Sequence, residues 1–207
     1  MGYSVTERQI LQSKTEFTGV HPQKFALWLA MASMSMFFAA LTSALLVKKG
    51  DFRYWEAFTL PRIFLFSTIT VVGISAAMQF SLSSYRKSNF FAFRIMLGVA
   101  FALSLLFLAL QLKGWNVLMQ MGMPLTGNLS GSFIYIITGS HAVHLILGLL
   151  LLVIFLIQAI RHRNDPLFEL KNIINPKRQL NLELLVAYWH YVDAVWIYLY
   201  IFFYLNY

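Results

Sequence analysis

Cysteine is absent from this 207-residue chain, so disulfides, thiolate nucleophiles, iron–sulfur clusters and Cys-ligated zinc are excluded. Charge is scarce too: only 12% of residues are Asp, Glu, Lys or Arg, and only 8 are acidic. A soluble globular domain carries about 25% charged residues. Residues 1–24 lack an apolar stretch followed by a small-residue cleavage site, so a cleavable signal peptide is not expected and the first span serves as the targeting signal.

What is present is apolar surface: 59% hydrophobic residues, 16% aromatic, and a mean hydropathy of +0.66. The apolar residues fall into separate runs, each long enough at about 1.5 Å per residue to cross a hydrocarbon layer of about 30 Å. The sequence therefore predicts an all-α polytopic membrane protein, a bundle of five transmembrane helices. An N-terminal cytoplasmic segment, residues 1–24, precedes a transmembrane domain over 25–207 with spans at about 25–47, 61–85, 90–112, 131–160 and 182–205.

Small residues recur every fourth position in the first span at Ser35, Ala39 and Ser43, which predicts a packed face there. The second and third spans are joined by Arg86, Lys87, Ser88 and Asn89, a connection short enough to force an antiparallel hairpin. From Lys113 to about Ser130 the glycines Gly114, Gly122 and Gly127 with Pro124 predict a loop.

The net charge of +8 comes from Lys and Arg lying between apolar runs, which points to topology and not to nucleic acid. With the N-terminus cytoplasmic, that side holds Arg8, Lys14, Lys24, Arg86, Lys87, Arg94, Arg161, Arg163, Lys171, Lys177 and Arg178. The other side holds Lys48, Lys49, Arg53, Arg62 and Lys113, so the positive-inside rule favours a cytoplasmic N-terminus and an external C-terminus. No internal repeat supports a repeat-built transporter.

Polar groups at membrane depth concentrate in the last two spans. His141, His144 and Gly148 share one helical face; Glu183 stands near the entrance of span five, with His190 and Asp193 near its middle. A carboxylate at that depth costs at least about 2.5 kcal/mol, so Asp193 needs a partner or a polar cavity. Three readings compete: a structural lock between helices, a proton relay, or haem or metal ligation. Five histidines, of which at most three are in the membrane, cannot build a haem-copper centre in this chain.

The run Tyr188-Trp189-His190-Tyr191-Val192-Asp193-Ala194-Val195-Trp196 resembles the last-helix signature of haem-copper oxidase subunit III, shared by cytochrome c oxidases and bacterial quinol oxidases. Gly139-Ser140-His141-Ala142-Val143-His144 with Gly148 is similar to the family's His-rich helix motif, and Trp28, Met36 to Leu41, Ser67-Thr68 and Leu108 to Gln111 match in order. The five-span count resembles the short bacterial form. The resemblance implies a non-catalytic subunit with no catalytic residues, no cofactor and no metal of its own, within a respiratory terminal oxidase that reduces oxygen to water with proton translocation. It implies haem and copper in partner subunits, main contact with subunit I, and further contact with subunit II, small subunits or a supercomplex. It also implies an inner (plasma) membrane location and bound phospholipid, for which Arg94, Trp189 and Trp196 are candidates. Packing is the plainer reading of the two tryptophans. Two departures stand out: Met34 and Gly114 occupy positions where many members carry membrane-embedded glutamates, which favours scaffolding over a proton relay. The alternative is a stand-alone membrane haem b protein or proton-coupled transporter built on His141, His144, His190 and Asp193.

Overall fold

The computed structural model describes residues 21–50, 59–126, 129–161 and 176–207. The N-terminal segment up to residue 20, most of the loop between the first two helices and the charged loop after Arg161 lie outside the described residues. The chain is all-α and crosses the membrane in five helices: α1 Pro22–Lys49, α2 Ile63–Arg86, α3 Phe90–Gln120, α4 Leu129–Arg161 and α5 Pro176–Asn206. Each turns large apolar side chains outward, among them Phe25, Phe66, Phe91, Leu150 and Ile201, as lipid-facing helices must.

Local chemistry sets the ends. Pro22 stands in the first turn of α1, where its missing N–H is harmless, and His21 caps the turn by accepting from the Gln23 amide. Ser88, at φ +57°, makes the α2–α3 hairpin, and Asn89 Oδ1 accepts from Ala92 N to start α3.

The third helix runs on to Gln120, through residues whose glycine content suggests a loop. The stop comes at Gly122, at φ +80°: its N–H bonds Met119 O and the next N–H bonds Leu118 O, a Schellman ending. Gly114 is instead a contact residue, since a Cβ there would lie 3.0 Å from Ile63 and 3.1 Å from Phe64.

The fifth helix is the axis of the bundle. It packs against α1, α2 and α4, while α3 closes the ring by packing on α2 and α4. The first and fifth helices run parallel, and one sequence offset of about 156 stitches them along their length. Tyr191 Oη bonds Ser35 Oγ and Met31 O, Tyr198 Oη bonds Thr42 Oγ1, and Lys49 Nζ donates to Asn206 O at the far end. Lys49 thus neutralises carbonyls that the end of α5 leaves unpaired.

The packed stripe of α1 is Phe38, Thr42 and Leu45, not the small-residue stripe. The buried stripe meets α4 and α5, while Ser35, Ala39 and Ser43 stay exposed on the flank. Because each hydroxyl contact between helices in a membrane is worth about 0.6 kcal/mol on average, Tyr191→Phe with Tyr198→Phe should lose about 1 kcal/mol of stability in mixed-micelle unfolding. An unchanged midpoint would mean that apolar packing alone holds α1 on the bundle.

Candidate functional site

The fifth helix sends polar side chains towards three neighbours, Tyr191 and Tyr198 to α1, His190 to α2 and Tyr188 to α4. His190 faces α2, where Nδ1 lies 2.6 Å from Ser75 Oγ and Nε2 lies 3.1 Å from Gln79 Oε1. A neutral ring satisfies both contacts: Nε2–H donates to the amide oxygen and Nδ1 accepts from the hydroxyl. Asp193, one turn on, is 2% exposed, and neither carboxylate oxygen has a hydrogen-bond partner among the described residues. Asp193 is therefore not paired with His190, which is committed to α2. Both residues line a cavity of about 470 Å³ between α2 and α5.

His141 occupies a different compartment. It is 1% exposed, its ring centroid is 5.3 Å from Trp196, and Phe107 meets it edge-on at 6.0 Å. His144 spends Nδ1 on Ser140 O in its own helix, with Phe38 5.7 Å away. Glu183 stands at the opposite end of α5 from Lys49, half-buried, accepting from Arg86 at 2.9 Å and from Gln179 at 3.0 Å. A half-exposed ion pair of this kind contributes at most about 1 kcal/mol and serves to register α5 against the end of α2. The five residues singled out in the sequence are thus distributed over three places, and no three His, Asp or Glu converge among the described residues.

Trp189 and Trp196 are fully buried, with their rings against other helices. Trp196 joins four helices at once, stacking on Phe64 of α2 and meeting Phe107 of α3 and His141 of α4, while Nε1 donates to Thr68 Oγ1. Arg94 lies one turn inside α3 and is half-buried.

Where α4 crosses α5 the closest contact is Gly148, whose hydrogen faces the ring of Tyr188; that residue's hydroxyl donates to His144 O at 2.8 Å. Gln79 and the hydroxyl of Tyr188 escaped the sequence reading. An amide in the middle of an apolar run was the available signal for Gln79; nothing local marks which helix a Tyr will reach.

A second cavity, of about 520 Å³, opens between α1, α4 and α5. Leu27, Leu147, Leu151, Phe155 and Leu184 form its walls, and the amides of Gln23 and Asn181 stand at the end where α1 and α5 begin.

These features define a multi-pass helical membrane protein in which several polar side chains join one helix to the next. The family model described as Cytochrome c oxidase subunit III matches residues 24–206, and the chain belongs to that family. Among its relatives, cytochrome c oxidase subunit 3 of Bacillus subtilis is 25% identical over 205 residues, covering 94% of this chain and 87% of that one. Cytochrome c oxidase subunit 3 of Corynebacterium diphtheriae is 29% identical over 135 residues, 65% of this chain and 60% of the relative. Cytochrome bo(3) ubiquinol oxidase subunit 3 of Buchnera aphidicola is 29% identical over 145 residues, 69% of each.

Proposed function

We propose that this chain is the cofactor-free third subunit of a respiratory terminal oxidase, one that reduces oxygen to water with proton translocation. It scaffolds and stabilises the catalytic subunit I, neighbours subunit II, and binds phospholipid. The observation that carries this reading is the family match over residues 24–206, nearly the whole described bundle. Both nitrogens of His190 are already engaged by α2, and His141 is walled by aromatic rings, which disfavours the facing pair of free imidazoles that a bis-histidine haem needs. The apolar slot with Gln23 and Asn181 at its mouth suits an acyl chain. Lys24, Arg161 and Lys177 sit at the same end of the bundle, where phosphate groups lie. Arg94, also at that end, remains the candidate phosphate ligand.

Purification from native membrane in mild detergent tests the assignment. The chain is expected to co-elute with a haem-bearing polytopic partner, and its recovery only as a free oligomer would reject the reading. The N-terminus is assigned to the cytoplasm. In the described helices Lys24, Arg86, Lys87, Arg94, Arg161, Lys177 and Arg178 lie at that end, against Lys48, Lys49, Arg62 and Lys113 at or towards the other. A reporter fused after Tyr207 should report the external side; a cytoplasmic signal from an assembled fusion would reverse the topology.

A further inference from the structure

The α2–α5 cavity is lined by Asp193, one of the buried side chains to which the described residues give no hydrogen-bond partner. Ser75 is the thirteenth of 24 residues in α2 and Asp193 the eighteenth of 31 in α5, so the cavity lies near mid-membrane. Ser75, Gln79 and His190 satisfy one another, whereas Asp193 lines the same cavity with both oxygens unpaired. In hydrocarbon a polar group without a partner costs several kcal/mol. No described residue gives Asp193 a donor, so one supplied from outside them would relieve that cost.

The surface around it is shaped for close approach. Ala194, exposed, borders this cavity and also a second groove of about 400 Å³ between α1 and α5, so the two hollows flank one ridge of α5. Ala76 stands on the α2 side, and Ser35 and Ala39 on the α1 side, so exposed small residues border this face. Small side chains flanking a groove let a helix backbone come close. A lipid tail would fill the space but has no donor, and headgroups lie at the surface, far from Asp193.

We propose that this face receives a transmembrane helix of a partner oxidase chain, which delivers a hydrogen-bond donor side chain (hydroxyl, amide or indole N–H) to Asp193. This rests on the assignment to an oxidase assembly. Interhelical polar contacts of this type in membranes correspond to roughly three- to twenty-fold in association.

The test uses the whole complex purified from native membrane, with a diazirine-bearing aliphatic residue built in at position 194. Irradiation is expected to join α5 to a membrane-spanning peptide of another oxidase chain. Adducts with lipid alone, in a complex that still contains this chain, would overturn the docking face while leaving the oxidase assignment intact; loss of co-purification would remove both. Retention under detergent titration supplies the second arm. Asp193→Leu should weaken retention roughly three- to twenty-fold, and Asp193→Asn much less, because its amide oxygen still accepts. Equal retention of both variants and the native chain would overturn the donor contact. If Asp193→Leu fails to fold, the photo-adduct formed with Asp193 intact decides.

Discussion

Gly148→Leu should separate the fourth and fifth helices. A Cβ at position 148 would sit 2.8 Å from Tyr188 Cε1 and 3.5 Å from Trp189 Cε2, and Trp189 is fully buried, so only the Tyr188 ring can give. Moving it breaks the bond from its hydroxyl to His144 O. Overpacking of a tight core costs about 1–3 kcal/mol, and a leucine at this crossing belongs at the upper end. Gly98→Leu is the control, because nothing lies within 4 Å of a Cβ there; it should change stability by less than about 0.5 kcal/mol. Unfolding midpoints in mixed micelles, read by helix content, compare the two. Similar losses at both positions would mean that the α4–α5 crossing is not the tight contact described. Removing the obstructing ring with Tyr188→Ala should recover part of the loss, so the two changes should be non-additive.

That contrast also marks how far the sequence could be read. Helix number and the α2–α3 hairpin were legible because an apolar run of about 20 residues has few other solutions. Helical periodicity puts His141, His144 and Gly148 on one face of α4. Periodicity fixes faces, however, and not the neighbours that faces meet. Ser35, Ala39 and Ser43 carry the pattern of a packed stripe, yet α1 buries Phe38, Thr42 and Leu45 where it meets α4 and α5. His190 and Asp193 lie one turn apart and look like partners, but the rotation of α5 against α2 gives His190 to Ser75 and Gln79. Gly114 looked like loop punctuation because a glycine used for close helix contact has no local signature of its own. Only Gly122, which needs the left-handed conformation, ended the helix.

Trp196→Ala should be the most damaging single change to the bundle interior. The indole is 0% exposed and touches α2 through Phe64 and Thr68, α3 through Phe107, and α4 through His141. Its removal leaves a cavity bounded by four helices, and large aromatic truncations in cores cost about 3–5 kcal/mol. Part of that figure in soluble proteins is transfer out of water, which lipid-exposed helices do not recover on packing, so a loss of about 3 kcal/mol is expected here. Trp196→Phe keeps a ring against Phe107 but loses the N–H that reaches Thr68, and should fall between the native chain and the alanine variant. Trp28 supplies the comparison: at 57% exposure on α1, its truncation should leave unfolding in mixed micelles unchanged within about 0.5 kcal/mol. The measurement is the unfolding midpoint of the three variants beside the native chain. A Trp28→Ala loss as large as that of Trp196→Ala would indicate that the indole of Trp196 is not what joins the four helices, and that the stability of the bundle lies instead in the stitched α1–α5 pair.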